Sequence, residues 1–286
     1  IKIDEINWHQ DPFVTTKKTT WNQPEKLELC YDINILAKQV KNISEKNPDP
    51  RVVWELSRLQ HLLPLGISYE KTKNFELKKH FENHVESWLD SNPFMMGINW
   101  VCTMEVAIRA SVLVWLFELF ECDKELNSND ENVSDFSKRL VASLYDHFVF
   151  IEHHPETSLT PNNHYLADLV GQLYLANFFG LKTEEVEKTL ASEFENQISA
   201  DGTSYEGSTA YHKLVTELFL HYTFLKEPTL KEKITLKAMT NFLERCTTNK
   251  LIQIGDNDSG RFIFGLKVKQ FNKTTIQQSN LYPNFG

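Results

Sequence analysis

The sequence predicts an all-α protein, an incomplete (α/α) toroid of antiparallel helical hairpins with a short β or irregular C-terminal segment. Three observations carry this. Glycine and proline, 10 of each in 286 residues, separate long stretches of 3.6-residue apolar periodicity. The separators, such as "SNPFMMG", "DKELNSNDEN" and "HPETSLTP", are short and polar, which makes successive helices antiparallel neighbours. Finally, helices with wide charged faces alternate with helices that are apolar nearly all round, the pattern of an outer and an inner layer. No repeat of fixed period is present, which argues against a solenoid and leaves an irregular helical bundle as the alternative.

Periodicity predicts the first helices over 33–45 and 50–62, with residues 1–50 as a lead-in that contains the first helix. The toroid is expected over 51–250. Within it, 69–91 ("YEKTKNFELKKHFENHVESWLDS") is amphipathic and outer, whereas 98–122 ("WVCTMEVAIRASVLVWLFELF") is apolar and inner. A helix over 134–153 follows from its apolar period. The helix over 162–179 is again inner; Thr160 is read as its capping hydroxyl and Pro161 as its first-turn residue. An outer helix is expected over 183–199, a turn at Asp201-Gly202, and helices over 205–226 and 229–247. From Leu251 the stretch "LIQIGDNDSGRFIFGLKVKQF" alternates and predicts a turn and a strand, and "NKTTIQQSNLYPNFG" reads as a polar tail.

Charge and composition exclude several classes. The net charge is −9, from 30 basic and 39 acidic residues, and no Lys/Arg cluster occurs. Nucleic acid and anionic membrane surfaces select basic patches, so neither is the expected main partner. The longest apolar run, 110–117, is too short to span a bilayer and is followed at once by Glu118. The chain begins at Ile1 without a basic start and apolar stretch, so no signal peptide is read in it. Cys30, Cys102, Cys122 and Cys246 form no C-x-x-C pair, which argues against a zinc site and for buried thiols.

Polar residues on apolar helices mark the candidate chemistry. Asn162, Asn163 and His164 occupy the first turn of an inner helix, where unpaired N–H groups and the dipole favour an anion; a capping contact would explain any one of them. In "DGTSYEGSTAYHKL", Glu206, Tyr211 and His212 lie within two turns, with small residues opposite each ring; a core tyrosine with a satisfied hydroxyl is the competing explanation. Glu105 and Arg109 are four apart on an inner helix, which suits either an internal ion pair or substrate contact. Trp54, Arg58 and His61 combine an aromatic platform with a cation and an imidazole, the composition of a sugar subsite and equally of a Trp–Arg stack. The loop "GDNDSGR" begins like a calcium loop, but Arg261 stands where the loop glycine is required and no Glu closes it, so an EF-hand is rejected.

Four motifs in order, "NPFMMGINWVCTMEVAIRA", "TPNNHYLADLVGQLYLANFF", "DGTSYEGSTAYHKL" and "GDNDSGRF", resemble the toroid domain of the heparinase II/III-like polysaccharide lyases, which include oligoalginate lyases. The upstream "WELSRLQHL" is similar to the segment leading into that toroid, so the resemblance runs from Trp54 to Phe262. It implies cleavage beside a uronic acid by β-elimination. It further implies that Asn163 neutralises the uronate carboxylate, that Tyr211 and His164 work as acid and base, and that Trp54, Arg58, His61, Trp100, Glu105, Arg109, Glu206, His212 and Arg261 bind substrate or hold the site. An anionic polysaccharide is the implied partner, a C-terminal β-sandwich domain to which residues 251–286 lead is the implied continuation, and the bacterial periplasm or envelope the implied location. The visible motifs require no cofactor and leave open a metal in a further domain. A non-catalytic glycan-binding or assembly protein and a glycoside hydrolase remain the alternatives. Because the polymer would be anionic, binding would rest on local positive charge from Arg58, Arg109, Arg261 and a helix dipole.

Overall fold

The computed structural model describes residues 6–10, 50–127, 135–247, 250–257 and 261–263. The helix expected over 33–45, Cys30, residues 258–260 of the "GDNDSGR" loop, the alternating stretch beyond 263 and the polar tail lie outside the described residues. The chain divides into two compact units, Ile1–Pro155 and Glu156–Gly286.

In the first unit, helix α1 spans Pro50–Ser57, followed by a 3-10 turn over Gln60–Leu62 and α2 over Leu63–Thr72. Periodicity predicts one helix over 50–62, but Leu59 takes a left-handed backbone with φ 59° and Pro64 opens the next helix, so the path breaks there. The outer helix expected over 69–91 is likewise two. Lys73 is left-handed, and the Asn74 side chain accepts the Glu76 N–H at 3.0 Å to cap α3, Phe75–Ser91. A second 3-10 turn, Ile98–Trp100, precedes the inner helix α4, Thr103–Leu119, because Cys102 is extended (φ −108°, ψ 117°). Every residue of α4 except Glu118 is buried, as its all-round apolar sequence requires. Helix α2 crosses it closely at Gly66, where a Cβ would lie 2.8 Å from the Leu119 side chain. Phe81 of α3 stacks on Phe120 with ring centres 4.2 Å apart. Helices α5 (Cys122–Asn127) and α6 (Asp135–His153) complete the unit, α6 packing against α4. The lead-in is tied down by Trp8, whose indole N–H donates to Ser87 at 3.1 Å and whose carbonyl accepts from Asn99 at 2.9 Å.

The second unit contains α7 (Asn163–Phe178), α8 (Glu184–Gln197), α9 (Thr209–Leu225) and α10 (Leu230–Arg245). Helix α7 packs against α8 and α9, and α9 against α10, which are the expected hairpins. The inner and outer roles follow polarity. Helix α7 buries residues on every side, whereas α8 buries only Val186, Leu190, Phe194 and Gln197, and α10 only Leu236, Met239 and Leu243. Phe194 joins α8 to α9 through Phe219 and Tyr222, at ring-centre distances of 4.4 and 5.5 Å. Burial of such a side chain contributes about 1.5–3 kcal/mol. Helix α10 starts with a capping box between Thr229 and Glu232.

Between α8 and α9 the Asp201-Gly202 turn forms as expected, Asp201 accepting from the Thr203 N–H and hydroxyl at 3.0 and 2.7 Å. Helix α9 then begins at Thr209, four residues later than predicted, because residues 203–208 serve as a turn that contacts α7. The segment after α10 makes an isolated bridge between Thr247 and Leu251, and no strand occurs among the described residues. Instead residues 252–256 bind the start of α9: the Thr209 N–H donates to Ile254 at 3.0 Å, and Ser208 Oγ donates to the Asp256 carbonyl at 2.6 Å. One backbone bond and the Ser208 and Thr209 hydroxyls thus take the place of a ladder. Cys102 and Cys122 are buried thiols, as expected, while Cys246 at the end of α10 is only half-buried. Among the described residues no helix is long and apolar enough to cross a membrane.

Gly202 has φ +87°, and a Cβ there would meet the Ala238 carbonyl carbon at 2.5 Å and the Met239 nitrogen at 2.6 Å. Gly202→Ala should therefore cost about 2–3 kcal/mol in urea unfolding, since backbone cannot yield as a side chain can. Thr229→Ala, which removes only a cap, should cost about 1 kcal/mol in the same measurement.

Candidate functional site

Helix α7 begins two residues later than Thr160-Pro161 suggests. Its cap is Asn162, in extended backbone, whose Oδ1 accepts the His164 N–H at 3.0 Å. Pro161 stays in the loop, its carbonyl accepting from the Tyr205 hydroxyl at 2.7 Å, and Thr160 is exposed. Asn163 is thus the first helical residue, and its N–H has no acceptor within the helix.

Glu206 supplies that acceptor. Its Oε1 takes the Asn163 N–H at 2.9 Å and its Oε2 takes the Asn163 side-chain amide at 2.7 Å. A carboxylate can only accept, so the amide nitrogen must face Glu206 and Oδ1 must face away, which settles the orientation of the side chain chemically. The negative charge also lies at the positive end of the α7 dipole. Asn163 is 4% exposed and Glu206 half-buried, so these charge-assisted bonds form in a part-buried setting.

His164, the next residue, directs Nδ1 to Glu156 Oε2 at 2.5 Å, and both side chains are partly exposed. A carboxylate at one ring nitrogen fixes the ring's orientation and leaves proton exchange to the other. The Glu156 N–H in turn donates to Asp168 Oδ2 at 2.7 Å, and Asp168 lies one helical turn after His164. Asp168 is 1% exposed. Burial, and then the charge of Glu156, push its carboxyl well above the usual range, and its Oδ1 has no hydrogen-bond partner among the described residues.

Tyr211 stands in the first turn of α9, half-buried, its N–H donating to the capping Ser208 Oγ at 3.2 Å. It follows Glu206 by five residues, so the chain that grips Asn163 also delivers Tyr211. His212 faces inward: Nδ1 accepts the Ser204 N–H at 3.1 Å and Nε2 donates to the Met239 carbonyl at 3.2 Å. Burial lowers its pKa, and the neutral ring braces the 203–208 turn against α10.

The candidates of the first unit, His61 apart, have internal partners. Trp54 donates its indole N–H to the Ile98 carbonyl at 2.9 Å. Glu105 pairs with Arg58 through two bonds of 2.6 Å, both groups buried, rather than with Arg109 one turn along its own helix. The fork geometry of Arg58, arriving from another element, matches both carboxylate oxygens, which an i,i+4 partner could not do as well. Arg109, 1% exposed, donates to His147 Nε2 at 2.9 Å and to the Asn99 carbonyl at 3.0 Å, and lies over the rings of Trp88 and Trp100. Burial brings its guanidinium down to about 9, although Glu105 and Cys102 act in the opposite sense. Burial and then the Arg109 charge hold His147 far down, so its neutral ring accepts from Arg109 while Nδ1 donates to the Ser143 carbonyl at 2.6 Å. His61 is exposed, and so is Arg261 of the second unit.

The second unit therefore brings Asn163, His164 and Glu206 together at one helix start, with Tyr211 on the neighbouring one. Sequence reasoning missed Glu156 and Asp168. Asp168 carried a signal, since it shares the helix face of His164; Glu156 carried none, because a loop places it. The cluster offers an oriented amide donor and a carboxylate-held imidazole, and the neighbouring helix start carries a phenol.

A family profile described as Heparinase II/III N-terminus matches residues 2–248. No curated protein matches. Among solved structures, the chain is similar to heparan sulfate lyase HepC from Pedobacter heparinus (TM-score 0.51, 20% identity, 73% of this chain and 34% of that one). A mutant of that lyase gives 0.52 at 19% identity, over 85% and 36% of the two chains. Heparinase III gives 0.60 at 15% identity, over 99% and 48%. At these identities the likeness shows the helical fold, and the chain spans between a third and a half of the length of the proteins it matches.

The raised Asp168 pKa has a stability consequence. Between the ordinary value of 3.8 and its higher folded value, the folded chain holds a proton that the unfolded chain releases, so stability falls as pH rises through that window. Asp168→Asn should flatten this fall and raise the urea midpoint above that of the natural protein near neutral pH, measured as midpoint against pH.

Proposed function

The chain belongs to the heparinase II/III N-terminus family, and from that premise we propose that it is the helical part of a polysaccharide lyase acting on a uronate-containing polymer by β-elimination. The observation that carries the reading is the Glu206 grip on Asn163, which spends one amide hydrogen on orientation and keeps a second N–H for a substrate carboxylate.

The C5 proton of a uronate is barely acidic while the adjacent carboxylate is fully charged. Hydrogen bonds from the Asn163 amide, reinforced by the α7 dipole, draw that charge off and stabilise the enolate-like intermediate. A base takes the C5 proton, the C5–H electron pair becomes the C4–C5 double bond, and the C4–O bond breaks with its electrons on the leaving oxygen, which takes a proton from an acid. Tyr211 and His164 fill these two roles, His164 through Nε2 because Glu156 occupies Nδ1. Glu206 and Glu156 are positioning residues. Arg58, Glu105, Arg109, Trp54, Trp100 and His212 act as framework through the internal bonds described above, while Arg261, being exposed, is the cation offered to the polymer. Residues 51–250 serve as the toroid, 1–50 as its lead-in, and 251–286 lead towards a β-sandwich domain that completes the cleft.

Unsaturated products absorb in the near ultraviolet, so the full-length protein incubated with alginate, heparan sulfate, hyaluronan and bacterial capsular polymers should raise absorbance with one of them. Asn163→Ala should lower kcat by about 10²–10³-fold, and Tyr211→Phe by about 10²–10⁴-fold. Glu206→Gln and Glu156→Gln should lower kcat with little change in KM. Binding without any absorbance rise would support a glycan-binding protein instead, and cleavage without it a hydrolase.

A further inference from the structure

Three histidines of the first unit, the exposed candidate His61 among them, stand near one another. His80 and His84 stand one turn apart on α3, with ring centres 4.5 Å apart, and His61 of the 3-10 turn lies 5.6 Å from His84. His84 is 7% exposed, and its Nδ1 approaches the His80 carbonyl at 3.3 Å. A ring nitrogen that donates to a backbone carbonyl leaves Nε2 as a lone-pair donor, the tautomer of a metal-ligating histidine. No ring nitrogen of His61 or His80 hydrogen-bonds another described residue, and both side chains are exposed.

Two imidazoles on one tetrahedral zinc, with Zn–N distances of about 2.0–2.1 Å, have ring centres about 5 Å apart. The two observed separations bracket that spacing. A common point requires the exposed His61 and His80 rings to turn towards His84. We propose that His61, His80 and His84 form a binding site for a divalent transition-metal ion of the zinc class, which ties the turn ahead of α2 to α3.

Imidazole ligands without carboxylate select zinc, nickel, copper or cobalt over magnesium and calcium. The site is independent of the lyase reading, because none of the three residues carries a step of the elimination.

The test uses the chain freed of metal by chelator and titrated with zinc chloride by calorimetry. One ion should bind with micromolar affinity. His61→Ala and His80→Ala, both at exposed positions, should each weaken it by about tenfold or more, with circular dichroism unchanged. At one zinc concentration, the melting temperature of the natural chain should rise more than that of either variant. Cobalt should give the visible spectrum of a tetrahedral nitrogen site without a thiolate charge-transfer band. Absence of binding, unchanged affinity in either variant, or a thiolate band placing the ion on a cysteine would each overturn the proposal.

Discussion

A helix start inside a protein leaves an N–H that something must satisfy, and the second unit is organised around how α7 meets that constraint. Glu206 meets it from another part of the chain. By doing so it draws the 201–208 turn onto α7, which sets where α9 begins, and the Tyr205 hydroxyl on Pro161 secures the same contact from the other side. Ser208 then caps α9 and also holds residue 256, so the later strap is registered to the same point. One unsatisfied donor thus fixes the relation of two helices and a loop.

The first unit solves a related problem in its own interior. Helix α4 carries Glu105 and Arg109 through a buried layer, where an unpaired charge costs several kcal/mol. The two are satisfied separately. Arg58 closes a bidentate pair with Glu105, and Arg109 spreads its charge over two indole faces, a neutral imidazole and a carbonyl. Such an arrangement leaves little freedom for α3, α4 and α6 to shift against one another, since each contributes a member, and Arg58 ties in the residue just after α1.

Helix class, the hairpin order and the inner and outer layers were all legible in sequence, because each is a consequence of apolar periodicity over many residues. The breaks at Leu59, Lys73 and Val101–Cys102 were not, since one residue's backbone angle decides them and periodicity runs on through them. The helix start at Asn163 was off by a cap, as Thr160-Pro161 and Asn162 are both good starts and only the Tyr205 contact chooses between them. The Glu105–Arg109 spacing suggested a pair that a better-shaped partner displaced. Asn163, His164 and Glu206 were legible as chemistry out of place on an apolar helix or beside a turn. Their grouping was not, because it depends on a contact across 43 residues of chain.

The cap of α7 bears on chemical durability as well as on folding. Asparagine ages by attack of the next residue's backbone nitrogen on its side-chain carbonyl, which closes a five-membered imide and ends in aspartate. At Asn163 that nitrogen belongs to His164, whose N–H is held by Asn162 and whose helical backbone turns it away from the carbonyl. Were the imide to form, hydrolysis would set a new carboxylate against Glu206, where the amide now sits at 2.7 Å. Asn162 is therefore a preservative for the residue beside it, delaying a change that would replace an attraction by a repulsion.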